Sequence, residues 1–142
     1  MSDQSKILLV EPEAFVRDTL RLRLLSKGHQ VLTADTGDEC LRTVMEANVD
    51  LIIMEIALDD MDGYEVCQKL AGWERTKDIP IIILTSKRDT PKNRFMYNTW
   101  AKEYFTKPFS PNAVMKAADK LLSSSRKKSG LKSCRALPTT IQ

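Results

Sequence analysis

A chain of 142 residues, 42% apolar and 29% charged, has the size and composition of one globular domain that builds its core without disulfide or metal staples. No apolar run approaches the roughly 18 residues of a membrane span, and the N-terminal MSDQSK lacks the basic and apolar regions of a secretion signal, so a cytoplasmic protein is expected. The net charge of +3 is uneven: residues 123–142 hold Arg126, Lys127, Lys128, Lys132 and Arg135 with no acid, which leaves residues 1–122 at −2.

Short apolar runs at 6–10, 30–34, 50–55, 80–85 and 103–106 alternate with helical patterns. That alternation predicts a parallel sheet with crossover helices. The first, third and fourth runs are nearly continuous Ile, Leu and Val, as strands buried on both faces should be. The second and fifth are more mixed and suit the sheet edges.

The first helix, over 13–27, turns Val16, Leu20 and Leu24 inward, with Pro12 before it and Gly28 after it. The second, over 37–48, is expected to bury Leu41, Val44 and Met45. The third, over 63–73, buries Cys67 and Leu70 with Tyr64 or Val66. Thr90 as N-cap and Pro91 at the first helical position open a fourth helix to about Thr99. Ser110 and Pro111 open the fifth, which ends at Leu122 and turns Val114, Met115, Ala118, Leu121 and Leu122 inward. Residues 123–142 lack helical periodicity and read as a basic, disordered tail or linker after a domain over 1–122.

Cys40, Cys67 and Cys134 have no C-x-x-C spacing and imply neither a disulfide framework nor a zinc site. The first two fit the core, and Cys134 is a tail thiol with no sign of activation. His29, beside a helix end, is expected at the surface. The tail's five cations lack interleaved aromatics, so specific nucleic-acid recognition is poorly supported.

In a (βα)₅ sheet, functional residues gather at the carboxyl ends of the strands. Those ends supply Glu11 after the first strand, Glu55 on the third, Thr85 and Ser86 on the fourth, and Lys107 after the fifth. Two carboxylates, a hydroxyl and an amine on one sheet edge suit a phosphoryl group or a hard cation.

The segments ILLVEPE, DLIIMEIALDDMDGYEVC, IPIIILTS and YFTKPFSP, in this order from about Lys6 to Leu122, resemble the response-regulator receiver family. The Met61-Asp62-Gly63 turn and the Lys107-Pro108-Phe109 corner are the most distinctive pieces. The resemblance implies a flavodoxin-like, doubly wound α/β fold with a five-stranded parallel sheet of order 2-1-3-4-5. It implies phosphoryl transfer from a histidine kinase to an aspartate, assisted by Mg²⁺. By position, the phospho-acceptor falls on Glu55, the phosphate contacts on Thr85 and Lys107, and the metal ligands on Glu11, Glu55 and the Ala57 carbonyl. The switch aromatic falls on Tyr104.

Two of these positions depart from the family pattern. Pro12 has no side-chain ligand, which weakens magnesium binding and leaves no cofactor certain. Glu55 is one methylene longer than aspartate, and a displacement of about 1 Å from near-attack geometry costs roughly 10²-fold. Its carboxylate is expected to reach Lys107 and Thr85, either imitating an acyl phosphate or forming a static bridge. The acidic run Asp59-Asp60-Met61-Asp62 reads as solvated, with an accessory cation ligand as the sharper alternative. Trp100-Ala101 stands where the family commonly has Gly-Ala.

The expected role is a receiver-like module of a two-component or phosphorelay pathway that acts without phosphate, by protein–protein contact. It is expected to be no enzyme, and at most a vestigial phospho-acceptor. The expected partner is a signalling protein at the face of helix four, strand five and helix five, with Tyr97, Trp100, Lys102 and Tyr104 as contacts. Tyr97 and Trp100 are expected to form an exposed contact patch; the plainer alternative is that Phe95 or a neighbour packs on the sheet while the charges form a solvated surface. Lys87, Arg88, Lys92 and Arg94 add charge beside that face. A dependence on histidine kinase stays open. The alternatives are a phosphotransfer-competent receiver with weakened magnesium binding, and a regulator contacting nucleic acid through the tail or an output domain.

Overall fold

Strand follows helix throughout the computed structural model, which describes residues 4–87 and 90–136, with side chains through residue 124. The elements are β1 (Lys6–Val10), α1 (Ala14–Ser26), β2 (Gln30–Ala34), α2 (Gly37–Glu46), β3 (Leu51–Glu55), α3 (Gly63–Gly72), β4 (Ile81–Thr85), α4 (Pro91–Trp100), β5 (Glu103–Thr106) and α5 (Pro111–Ala136). All strand pairs are parallel, in the order β2-β1-β3-β4-β5 expected from the sequence.

The two-residue period of the strands sorts the core into two layers. Ile7, Leu9, Leu51, Ile53, Ile82 and Leu84 pack with Leu20 and Leu24 of α1 and Val114, Ala118 and Leu122 of α5. Leu8, Val10, Ile52, Met54 and Ile83 pack with Cys40 and Val44 of α2, Val66, Cys67 and Leu70 of α3, and Tyr97 of α4. Helices cover both faces, which is why β3 and β4 are buried at every position. Burial pushes the Cys40 and Cys67 thiols up to about 12, so both act as core residues.

Local chemistry fixes the helix ends. Gly28, at φ 91°, closes α1: its N–H donates to the Leu25 carbonyl and that of His29 to the Leu24 carbonyl. That motif draws His29 inward, so it is buried and not at the surface as the sequence suggested. Thr90 and Ser110 accept from Asn93 N and Ala113 N at 3.1 and 3.3 Å, the expected caps of α4 and α5. Met45 is exposed, because α2 turns Cys40 and Val44 to the sheet and leaves Met45 off that face.

α5 continues to Ala136, well past the Leu122 end expected from the sequence. Amphipathic periodicity reports a buried face and not helicity itself, so its loss after Leu122 set no limit on the backbone. Ala, Leu, Lys and Arg are good helix formers, and no proline intervenes before Pro138. Residues 137–142 of the expected tail, and the side chains of Arg126, Lys127, Lys128, Lys132, Cys134 and Arg135, lie outside the described residues, as does Arg88. No helix among the described residues is long and apolar enough to cross a membrane.

Candidate functional site

The carboxyl ends of β1, β3 and β5 bring Glu11, Glu55 and Lys107 into contact. Lys107 Nζ lies 2.9 Å from Glu55 Oε1. It donates to Glu11 Oε2 at 3.1 Å and lies 3.0 Å from Glu11 Oε1, which has an ion-pair distance without an aligned hydrogen bond. A third carboxylate, Glu13, reaches the same ammonium at 3.3 Å. Glu11 and Glu55 are buried, whereas Glu13 is exposed. Position alone marked Glu11, Glu55 and Lys107; Glu13 was missed. The signal available was its place two residues beyond Glu11, at the start of α1.

Backbone donors also hold both carboxylates. Glu13 N–H donates to Glu11 Oε2 at 3.0 Å, and Ala57 N–H donates to Glu55 Oε2 at 2.8 Å. Arg17 Nη1 donates to the carbonyls of Glu11 and Pro12 at 2.9 and 3.4 Å and fixes the corner at Pro12. Burial raises the Glu11 pKa above its ordinary range, against the opposing Glu13 N–H and Lys107 contacts. For Lys107, burial disfavours the ammonium, but hydrogen bonds and attraction from Glu55 and Glu11 together outweigh it and raise its pKa.

Thr85 is fully buried, and its hydroxyl accepts from Lys87 N–H at 3.0 Å. The expected contact of Glu55 with Thr85 is thus replaced by a local turn, and Lys107 is Glu55's cationic partner. Thr85 still positions the site through its carbonyl, which accepts from Lys107 N–H at 2.7 Å.

The donor set does not fit magnesium. The ammonium already bridges Glu11 and Glu55, the Ala57 N–H engages the second Glu55 oxygen, and the Glu13 N–H shares Glu11 Oε2 with Lys107. Among the described residues, no group of His, Cys, Asp or Glu is arranged to hold a metal ion. The acidic run after β3 has structural work instead. Asp60 accepts from Gly37 N and Asp38 N at 2.8 and 2.9 Å, capping α2 from outside, and Asp62 caps α3 through Tyr64 N at 2.9 Å. Asp60 and Asp62 are therefore helix caps and not the accessory cation ligands weighed from the sequence.

Gly63 lets this turn close on β3: a Cβ there would sit 2.7 Å from Ile56 Cα. An Ala57–Asp62 bridge completes the turn.

On the α4–β5 side the structure overturns the expected exposure of Tyr97. Tyr97 is fully buried, and Phe95 is 70% exposed. Asn93, Tyr97 and Trp100, at i, i+4 and i+7, share the inward face of α4, and Phe95 points away. Trp100 and Tyr104 are half-buried, and Lys102 is exposed. Tyr97 packs 4.6 Å from the Tyr104 ring and 6.1 Å from that of Tyr64, with Lys87 Nζ 5.4 Å from the Tyr64 centroid. Phe15, Leu22 and Leu25 of α1 form a further exposed apolar set that the sequence reading left unassigned.

A family model described as "Response regulator receiver domain" matches residues 7–119. The chain is similar to the "Transcriptional regulatory protein ResD" of Bacillus subtilis (strain 168), at 34% identity over 121 residues, covering 85% of this chain and 49% of that protein. It is also similar to the "Probable transcriptional regulator ycf27" of Pyropia yezoensis, at 33% over 130 residues, covering 87% and 52%. The chain thus spans about half the length of the curated relatives it matches. Among solved structures, a putative response regulator from Chloroflexus aurantiacus J-10-fl superposes with a TM-score of 0.78 at 28% identity, covering 84% of this chain and 98% of that one. The signal receiver domain of a signal transduction histidine kinase from Syntrophus aciditrophicus gives 0.77 at 30%, covering 84% and 91%.

Proposed function

The chain belongs to the response regulator receiver family of two-component signalling, and we propose that it works there without phosphate, as a protein-interaction module. One observation carries this reading: Lys107, at the family's phosphate-contact position, is held between Glu11 and Glu55. Glu55 also keeps its second oxygen on its own Ala57 N–H, so the carboxylate at the acceptor position is engaged at both oxygens. A phosphoryl group brings about −1.5 to −2 charge and needs cationic neutralisation. Lys107 is already committed to carboxylates, and the donor set does not fit magnesium.

The proposed partner is a signalling protein at the α4–β5–α5 face, where Phe95 and Lys102 are exposed and Trp100 and Tyr104 are partly so. Residues 1–122 form the receiver body in this reading and 123–142 its basic extension. A cytoplasmic location accords with the family. The transcriptional role of the longer relatives is not part of the proposal.

The test is incubation with a small-molecule phosphodonor and Mg²⁺, followed by intact mass. The expected result is no adduct of about 80 Da on the native chain, and gain of one in a Glu55→Asp, Pro12→Asp double variant. A stoichiometric adduct on native Glu55 would sink the proposal.

A further inference from the structure

α5 changes character at Leu122. Up to that point it is a crossover helix, with Val114, Met115, Ala118 and Leu122 buried against the sheet. Ser123 and Ser124 are exposed, and the backbone then stays helical to Ala136. The stretch from 123 to 136 runs about 21 Å at about 1.5 Å per residue.

Its charge has one sign. Asp119 is the last acid in the sequence, and its carboxylate is held by Lys27 at 2.7 Å. Arg126, Lys127, Lys128, Lys132 and Arg135 follow with no acid among them. In an unordered tail these cations would have no fixed spacing; on a helix they do. Positions 128, 132 and 135 stand at i, i+4 and i+7, which is one helix face, in a row about 10 Å long. Positions 126 and 127 precede that row within one turn. Lys128 and Lys132 are like charges at i and i+4 and repel. A polyanion laid along the face relieves that repulsion.

Composition selects the anion. A helix that lies on a membrane surface needs an apolar face of Trp, Phe or Leu, and Leu131 is the one large apolar residue over 123–136. A protein partner is gripped through aromatic anchors, and the last aromatic residue of the sequence is Phe109. Lysine and arginine spaced along a helix without such companions suit regularly spaced phosphates, which take charge and need no base-reading group.

We propose that the α5 extension over 123–136 is a nucleic-acid-binding arm that reads no sequence, with duplex phosphates as its ligand and Lys128, Lys132 and Arg135 as its principal contacts. The arm is separate from the cluster around Lys107 and holds whether or not Glu55 accepts phosphate.

Fluorescence anisotropy of labelled duplex DNA of about 25 base pairs, titrated with the full chain, tests it. At about 50 mM salt, two duplexes of unrelated sequence are expected to bind with affinities equal within about threefold. The logarithm of the association constant should fall with the logarithm of salt at a slope of about −2.7 to −4.5, as three to five phosphate contacts require. The full chain carrying Lys128→Gln, Lys132→Gln and Arg135→Gln keeps good helix formers. It is expected to bind about tenfold more weakly or worse, with a slope shallower by about 2.7. Absence of binding at that salt would overturn the proposal, as would unchanged affinity in the triple variant. A preference of more than about tenfold for one duplex would also overturn it, and so would tighter binding to vesicles containing phosphatidylserine than to either duplex. If the triple variant loses its far-UV helix signal, the salt slope and the duplex comparison on the native chain still decide.

Discussion

Replacing Lys107 with methionine keeps an unbranched apolar stem and removes the ammonium. Glu11 and Glu55, 1% and 3% exposed, then lie together as buried carboxylates without a cation. Breaking a buried pair by removing one partner costs about 3–5 kcal/mol. One lysine serves two such carboxylates here, which places the expected loss toward the upper end of that range. Glu13 adds little, because its side chain is 59% exposed. Against a typical domain stability of about 5–15 kcal/mol, the loss is large. At roughly 3–4 °C per kcal/mol, it corresponds to a fall of about 10–20 °C in Tm.

Urea denaturation followed by far-UV circular dichroism at pH 7 measures this loss. Its pH dependence provides a second check. Burial already raises the Glu11 pKa, so without Lys107 this group binds a proton more readily as pH falls. The deficit of the variant should therefore shrink from pH 7 to pH 5. On the alkaline side, burial opposes the Lys107 ammonium but Glu55 and Glu11 raise its pKa overall. Its contribution is fully present below the unfolded lysine value of about 10.4 and is lost as pH rises through the higher folded value. A loss below about 1 kcal/mol at pH 7 would refute the reasoning; so would a deficit that stays constant down to pH 5.

Asp60→Ala should cost about 0.5–2 kcal/mol, the range for a lost helix cap, because it strips the N–H groups of Gly37 and Asp38 of their acceptor. Those two backbone bonds lower the Asp60 pKa, so its contribution is present above the unfolded value of about 3.9 and lost as pH falls through the folded one. Urea midpoints of the native and Asp60→Ala chains should converge in acid, and a constant gap would count against the cap. Gly63→Ala should cost about 1–3 kcal/mol, since the new Cβ meets Ile56 Cα at 2.7 Å and its carbonyl oxygen at 2.8 Å, both backbone. An unchanged thermal midpoint would show that the β3–α3 turn relaxes freely.

The sheet was legible because β1, β3 and β4 are buried on both faces and so read as unbroken aliphatic runs. Glu11, Glu55 and Lys107 were legible because strand ends define the site of such a sheet. What escaped depends on rotation and reach. α4 carries aromatics on more than one face, so composition could not tell that Tyr97 turns inward and Phe95 outward; that is set by packing against Tyr64 and Tyr104. The work of Asp60 escaped because its partners, the N–H groups of Gly37 and Asp38, are distant in sequence. Glu13 escaped because its contact with Lys107 depends on how α1 leaves β1.

Glu55 and Pro12 become electrostatically consistent once Lys107 is placed between the acids. Three carboxylates share one ammonium, so the cluster carries more negative than positive charge. An acid at position 12 would add a fourth carboxylate to the same corner; Pro12 instead offers only its carbonyl, and that accepts from Arg17. The additional methylene of Glu55 works in the same direction. It lets one oxygen stay on Ala57 N–H at 2.8 Å while the other meets Lys107 at 2.9 Å. Each departure, taken alone, reads as damage to phosphoryl transfer; together they suit a site whose cation is a lysine. On the proposed phosphate-independent reading, an incoming phosphoryl group would have to pull Lys107 from Glu11 and Glu55 and leave two buried carboxylates facing additional negative charge, an exchange that low-dielectric burial opposes.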